Sequence, residues 1–384
     1  MIGRNHPADL EPPILREAAR RRWPRGLLGM LAGIMAMELF LAGRARDFTT
    51  VTAEDWRLAA RAAETEAAGR DILCLGDSLI KYGVFPRVIE ARTGLTSYNL
   101  ALNSGPMPAE YFLLRRALAA GARPRAIVAD FFPLMIPDQP RGPVRVYAAL
   151  ASWADGLDLA RTTGDGDLAT SLLLHKLVPS VRCRFEVRQA LMAAFAGKAA
   201  SARSKTRPME VTWRREQGAQ PMAPTPPGRS AANPALVADL TPGCWTVDRI
   251  NSAYFERFVA LAEAHGVPIF WVIPPLGPEI EMGRDILGTG AAYSKFARDA
   301  QAKHPGLTVL DARRAGYDGS SHIDPIHLNE GGAMVLSEDI AREVADHLAG
   351  RSVARWVDLP IYAGRGDGRS PNHEMATRAR LTPR

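Results

Sequence analysis

The sequence predicts an α/β fold: a parallel sheet covered by helices on both faces, with one apolar helix ahead of it. Three observations lead to this prediction. From residue 71 onward, short apolar runs alternate with helical patterns, as parallel strands joined by crossover helices do. The run Ile72–Leu75 has the length of a buried strand and ends at Gly76. Residues 26–43 form a mostly apolar stretch of 18 residues.

The stretch 26–43 is predicted to be an uncleaved, membrane-spanning signal anchor, because 18 residues lie at the short end of what crosses a bilayer. Arg20, Arg21, Arg22 and Arg25 lie directly before it, and only Arg44 and Arg46 lie directly after it. We therefore expect residues 1–25 to be a cytoplasmic leader and the domain to lie in the periplasm or at the cell surface. Glu38 opposes a span, but it lies near the outer end, where it can reach the interface. A buried amphipathic helix and a cleaved signal peptide are the alternatives.

Strands and helices follow in alternation. The strand candidates are residues 71–75, 97–102, 126–132, 267–273 and 307–310. The helix candidates are residues 86–93, 108–120, 249–265 and 330–348. Pro86 and Gly94 bracket the first of these helices, and Asn329 is a suitable N-cap for the last.

The predicted domain covers residues 70–349 and contains a large insertion. Residues 138–247, between the third and fourth strands, exceed what five strands need. Their first part, residues 144–196, has helical patches. Their second part, residues 199–233, is rich in Pro, Ser, Ala, Gln and Arg and is predicted to be a mobile loop. Residues 350–384 are similarly polar and are predicted to be a disordered tail.

Composition excludes several classes of function. The net charge of +7 is concentrated in residues 1–46, 184–229 and 351–384, which together carry +14, whereas the remainder carries −7. Nucleic-acid binding would need a basic face on the fold itself, so no nucleic-acid partner is expected. Three cysteines exclude a disulfide framework, although Cys183 and Cys244 could pair or remain free thiols. No Cys/His cluster has metal-ligand spacing, so neither a metal nor a cofactor is expected.

A serine and an Asp/His pair lie at predicted strand ends, where parallel sheets place their ligands. Ser78 follows the first strand, and Asp324 and His327 precede the last helix. A serine hydroxyl needs a neutral imidazole to take its proton, and that imidazole needs a carboxylate to hold its tautomer. The backbone N–H groups of Ser78 and Gly105, which follows the second strand, could stabilise an oxyanion. Taken together, these residues predict an acyl-transfer triad.

These motifs resemble those of the SGNH, or GDSL-type, hydrolase superfamily. The resemblance rests on GDSL at residues 76–79, NLALNSGPMP at 99–108 and DPIHL at 324–328. It implies a three-layer, flavodoxin-like fold with five strands in the order 2-1-3-4-5. It also implies a Ser78–His327–Asp324 triad, with Gly105 as a backbone oxyanion donor.

One departure concerns the third strand, after which the family usually has an Asn as a further oxyanion donor. Here the sequence reads Val128-Ala129-Asp130-Phe131-Phe132-Pro133, and Asn103 is a candidate substitute. Losing one such donor typically costs about 2.7–4 kcal/mol of transition-state stabilisation. The chain is more similar to membrane-associated relatives that move O-acetyl groups on polysaccharides than to small secreted lipases.

The sequence therefore predicts a serine esterase that acts on acyl esters, including O-acetylated carbohydrate, outside the cytoplasm. One alternative is an O-acyltransferase that uses the same triad with a sugar hydroxyl as acceptor. Another is a catalytically silent binding module of the same fold, which the absent Asn favours and the complete set of Ser, His and Asp opposes.

Overall fold

The computed structural model describes residues 25–138, 144–197, 203–223 and 234–362, and within them a single parallel sheet forms the centre of the molecule. Its strands are β1 (Ile72–Leu75), β2 (Ser97–Asn99), β3 (Ala126–Ala129), β4 (Ile269–Ile273), β5 (Leu307–Asp311) and β6 (Trp356–Asp358). The order is β2-β1-β3-β4-β5-β6, and every neighbouring pair is parallel. The α/β class and the parallel sheet are confirmed. The strand count of five is wrong, because β6 adds a sixth strand beside β5.

Sixteen α-helices surround the sheet in the described part of the chain. The first eight are α1 (Arg25–Gly43), α2 (Val51–Thr65), α3 (Ser78–Gly83), α4 (Pro86–Thr93), α5 (Met107–Ala119), α6 (Val144–Leu150), α7 (Trp153–Thr163) and α8 (Gly166–Leu177). The others are α9 (Pro179–Arg182), α10 (Arg184–Phe195), α11 (Arg203–Arg215), α12 (Pro234–Leu240), α13 (Arg249–Ala264), α14 (Pro278–Ile286), α15 (Thr289–Lys303) and α16 (Glu330–Leu348).

Helices cover both faces of the sheet, because successive strand residues point to opposite sides. In β1, Leu73 and Leu75 belong to a core shared with α2, α5 and α13, whereas Ile72 and Cys74 belong to a core shared with α4 and α16. All residues of β1, β3, β4 and β5 are buried, which is why β1, β3 and β4 are continuously apolar; β5 also contains Thr308 and Asp311.

The predicted elements lie close to their observed positions. Helices α4 and α16 have the predicted bounds, and α13 ends one residue earlier than predicted. The Asn329 side chain accepts the Gly332 N–H at 3.0 Å and so caps α16. Helices α2, α14 and α15 had no sequence counterpart. All three cysteines are free, with Cys74 and Cys183 buried and Cys244 exposed.

The insertion is more ordered than its composition indicates. A mobile loop is the sequence expectation over residues 199–233, but residues 203–215 form α11, whose Trp213 is buried against Tyr98 of β2. Beyond α11, the Gln217 carbonyl accepts the Asn99 N–H at 2.9 Å and covers the edge of β2. The expectation is therefore wrong for residues 203–223, because buried side chains, among them Trp213 and Ala219, and backbone hydrogen bonds to the domain hold the segment in place. The rest of 199–233 lies outside the described residues.

The folded unit extends beyond both ends of the predicted domain, residues 70–349. Trp56 and most other apolar residues of α2 are buried in the core, so the folded unit begins before residue 70. At the other end, Trp356 of β6 pairs with Val309 of β5, so the predicted disordered tail contributes a strand. Residues 363–384, the remainder of that tail, lie outside the described residues.

Helix α1 is long and apolar enough to cross a membrane, and nearly all of it is exposed. Near its end, the Glu38 carboxylate accepts the backbone N–H of Ser180 in α9 at 2.9 Å and also the Ser180 hydroxyl. Leu41 is buried. The end of α1 is therefore fixed to the insertion. The predicted leader, residues 1–25, lies outside the described residues except for Arg25, where α1 begins.

Candidate active site

The turn after β1 presents Ser78 as the first residue of α3. Gly76 has φ of +139°, and a Cβ there would lie 1.9 Å from the Asp130 carboxylate, so only glycine fits. Asp77 caps α3, because its side chain accepts the Leu79 N–H at 2.8 Å. Ser78 is 7% exposed, so its hydroxyl lies in a largely buried position.

The loop between β5 and α16 carries Asp324 and His327. A short antiparallel bridge joins His322 and Leu328, and the Ile323 N–H donates to the His327 carbonyl at 2.9 Å. The loop therefore closes on itself and holds Asp324 and His327 one turn apart.

These two residues and Ser78 form one hydrogen-bonded chain. The His327 Nε2 lies 2.9 Å from the Ser78 Oγ, and the His327 Nδ1 lies 2.7 Å from the Asp324 Oδ2. The Tyr82 ring packs edge-on against the imidazole, with 5.1 Å between centroids. The structure thus brings together the three residues that the sequence singled out.

Local bonds favour the ionised form of Asp324. Burial alone would raise the pKa of this carboxyl, but the hydrogen bond and charge attraction from His327 outweigh it. The backbone N–H groups of Ile326 and His327 also donate to Asp324 Oδ1, at 2.9 and 2.8 Å, and the pKa is lowered overall. An ionised carboxylate on Nδ1 fixes the tautomer in which Nε2 faces the serine.

The loop after β2 lies directly against the serine turn. The Leu102 N–H donates to the Gly76 carbonyl at 2.9 Å, and a Cβ on Gly105 would lie 3.3 Å from that same oxygen. Gly105 is therefore held close to the backbone of the turn. Asn103 is half-buried and is held by its backbone: its carbonyl accepts the Trp56 indole N–H at 3.0 Å.

A buried ion pair beside the serine helix was missed by sequence reasoning. Lys81 of α3 and Asp55 of α2 are both fully buried, with 2.6 Å between Nζ and Oδ1. The other Asp55 oxygen accepts the Asn103 N–H at 2.9 Å. Asp55 therefore connects α2, the serine helix and the Gly105 loop. One indication of this buried pair was present in the sequence: Asp55 lies next to Trp56 in a helical pattern.

Three further acids are buried at the serine turn: Asp77 in the turn itself, and Asp130 and Glu110 near it. Burial raises the pKa of Asp77 to about 6, despite the N–H of Leu79. Burial and the nearby Asp77 charge raise the pKa of both Asp130 and Glu110 well above the usual range. The Asp77 N–H donates to Asp130 Oδ1 at 3.1 Å. Asp130, which directly follows β3, thus supports the turn from below.

Apolar side chains flank the hydrogen-bonded chain. Leu79, next to the serine, belongs to a buried cluster with Phe132, Leu276 and Ile280, and Ile326 of the Asp324 loop packs against that cluster. Within the described residues, no group of three or more His, Cys, Asp or Glu side chains is arranged to hold a metal ion.

Comparison with models of known protein families finds no match, and comparison with curated proteins finds none either.

Proposed function

We propose that this protein is a serine esterase of the SGNH type, acting on acyl esters, with O-acetylated carbohydrate as one substrate class. The observation that carries the proposal is the continuous Ser78–His327–Asp324 chain, with contacts of 2.9 and 2.7 Å. The order of the first five strands, 2-1-3-4-5, also agrees with that family.

The chemistry follows from the contacts. His327 Nε2 takes the Ser78 proton as Oγ attacks the ester carbonyl, and Asp324 stabilises the resulting imidazolium. The backbone N–H groups of Ser78 and Gly105 are the proposed donors to the oxyanion. His327 then protonates the leaving alcohol, and water attacks the acyl-serine by the same route in reverse.

Transfer to a sugar hydroxyl is the second candidate function. The observation that favours it is the apolar cluster beside Ser78, since a poorly hydrated site lowers competition from water. Product analysis with an acyl donor and an oligosaccharide distinguishes the two: acylated oligosaccharide supports transfer, and free acid alone supports hydrolysis.

An organophosphonate probe tests the nucleophile. We expect covalent labelling at Ser78 in the full chain and loss of labelling in Ser78→Ala. The control is Ser352→Ala, in the loop before β6 at the opposite edge of the sheet, which should be labelled like the unaltered chain. A folded protein that reacts with no probe and hydrolyses esters equally well as Ser78→Ala would overturn the proposal.

We also propose that α1 anchors the enzyme in the membrane with its leader inside the cytoplasm. The support is its length, its exposed apolar surface and the arginines before it. Cys244 reports on the orientation because it is the exposed cysteine, whereas Cys74 and Cys183 are buried. A membrane-impermeant maleimide should label intact spheroplasts, but not those carrying Cys244→Ser. Labelling only after lysis would place the domain inside.

A further inference from the structure

Helices α7 to α10 expose an unusual amount of apolar surface. Outside α1, the described residues include 16 large hydrophobic side chains that are exposed, and nine of them lie in these four helices. They are Trp153, Leu157, Leu173, Leu174, Leu177, Phe185, Leu191, Met192 and Phe195. Scattered exposed apolar residues are ordinary, but a concentration of this kind marks a surface that contacts something.

The exposed residues share a face in two of the helices. In α8, Leu173, Leu174 and Leu177 follow the helical spacing i, i+1, i+4, while Leu168 and Leu172 are buried on the inner side. In α10, Leu191, Met192 and Phe195 repeat that spacing. No residue of α10 is buried, so the helix has little packing of its own within the described chain. Phe195 is 86% exposed.

The apolar face lies next to the end of α1. Helix α9, which joins α8 to α10, binds Glu38 through the Ser180 N–H at 2.9 Å. Glu38 precedes the last residue of α1, Gly43, by about 8 Å of helix at 1.5 Å per residue. If α1 spans the bilayer, α9 is level with its outer end. Helices that lie in a membrane interface are immersed by about 5–10 Å, which matches this offset.

Positively charged residues at the end of α1 are complementary to anionic lipid headgroups. A cavity of about 600 Å³ lies where α1 joins the domain. It is lined by six arginines and three acids: Arg44, Arg46, Arg57, Arg145, Arg182, Arg203, Asp47, Glu54 and Glu186. Each acid already pairs with one of those arginines, so the cavity keeps an excess of positive charge. Positive charge attracts the anionic phosphates of a bilayer surface.

We propose that the exposed face of α7 to α10 is immersed in the outer leaflet of the membrane that α1 spans. The insertion then serves as a second, interfacial attachment beside the anchor. This inference rests on the proposed anchoring by α1. It also orients the active site, because α2 follows α1 after one short turn (Ala45–Phe48) and contacts the Gly105 loop through Asp55 and Trp56. The edge of the sheet that carries Ser78 is therefore the edge nearest the bilayer.

Nitroxide labels on the full chain, in bilayers of phosphatidylcholine and phosphatidylglycerol, test the depth of each surface. The background is Cys244→Ser, and the labels are placed at Met192→Cys in α10, Met35→Cys in α1 and Val353→Cys. Val353 is a matched control, because it is apolar, 89% exposed and precedes β6 at the opposite edge of the sheet. Oxygen is concentrated in the hydrocarbon, and a nickel chelate is confined to water.

We expect the labels at Met192 and Met35 to collide more with oxygen than with nickel, and the label at Val353 to show the reverse. A label at Met192 that behaves like the one at Val353 would overturn the inference while leaving the anchor intact. Low accessibility of Met192 to both reagents would mean that protein, such as a second copy of the chain, covers α10, and would also overturn it. A water-exposed label at Met35 would show that the anchor itself is wrong.

Discussion

Two regions next to the serine turn each supply an aspartate, and the pKa values of the two carboxyl groups are shifted in opposite directions. Asp324, in the loop before α16, accepts two backbone N–H groups and faces an imidazole, and its pKa is lowered. Asp130, at the end of β3, accepts one N–H and lies near Asp77 and Glu110, and its pKa is raised well above the usual range. Burial raises the pKa of both carboxyls; for Asp130 the charges of Asp77 and Glu110 add to it, whereas for Asp324 His327 and two backbone donors outweigh it.

This difference in pKa suits the two aspartates to different roles, Asp324 to the proposed chemistry and Asp130 to supporting the turn. An ionised Asp324 can stabilise a positive imidazolium, whereas a neutral Asp130 can lie under Gly76 without an uncompensated buried charge. Asp55 is a third case, since it is fully buried but has Lys81 as its counter-charge. Asp324, Asp55 and Asp77, whose N–H donates to Asp130, therefore allow three substitutions of the same kind, Asp→Asn, with different expected outcomes.

Asp324→Asn should have the largest effect, on activity. The amide keeps the shape but removes the charge, and its N–H₂ group would favour the wrong imidazole tautomer. We expect kcat for ester hydrolysis to fall by about 10⁴-fold, with little change in the free energy of unfolding. The control is Asp318→Asn, in the same loop, where the exposed carboxylate accepts hydrogen bonds from Ser320. A loss below tenfold for Asp324→Asn would remove Asp324 from the proposed mechanism.

Asp55→Asn should have the next largest effect, on stability. It leaves the Lys81 ammonium buried without a counter-charge, which typically costs about 3–5 kcal/mol of unfolding free energy. Denaturant unfolding measures this loss. The matched control is Asp158→Asn, because the pair of Asp158 with Arg257 is partly exposed and should contribute under about 1 kcal/mol. Equal losses in the two variants would show that the buried pair is not special.

Asp77→Asn should have a smaller effect that depends on pH. The native pKa of about 6 lies above the unfolded value of 3.8, so the native state holds the proton more tightly. The unaltered chain therefore loses stability as the pH rises from 4 to 6, by about 3 kcal/mol for a shift of about two units. Asn keeps the cap on α3 and does not titrate.

The measurement for Asp77→Asn is the free energy of unfolding at pH 4 and pH 8. At pH 8 the free energy of unfolding of the variant should be higher than that of the unaltered chain, and at pH 4 the two values should be closer. The control is Asp71→Asn, an aspartate whose carboxylate also accepts a backbone N–H, that of Thr96, but which is only half-buried, just before β1. A variant whose advantage is independent of pH would contradict the raised pKa of Asp77.

The sequence predicted those features that depend on local pattern. The turn of Gly76, Asp77 and Ser78 and the loop of Asp324 and His327 are short motifs, and β1, β3 and β4 are short apolar runs. The features that were missed depend on partners far along the chain. Asp55 contacts Asn103 from 48 residues away, and nothing near Asp55 indicates that partner. Strand β6 has only three residues and follows a polar segment, so its pairing with β5 has no local signal.

The same distinction applies to the buried acids and to the insertion. Asp130 and Glu110 are residue types that normally lie at the surface, so a sequence pattern does not place them under the serine turn. In residues 203–223, the buried Trp213 outweighs a composition typical of loops. The resemblance led us to expect an Asn after β3 as an oxyanion donor, but no Asn lies there. The residue that directly follows β3 is Asp130, whose pKa is raised.

Ser78 and His327 come from opposite ends of the folded unit, 249 residues apart in the chain. During synthesis the serine turn emerges first, and it has no imidazole until nearly the whole domain has been made. A fragment that ends before residue 320 would lack both this imidazole and α16, whose Leu336 and Ile340 share a core with β1. Under the proposed function, ester cleavage would therefore report that translation and folding have both reached completion.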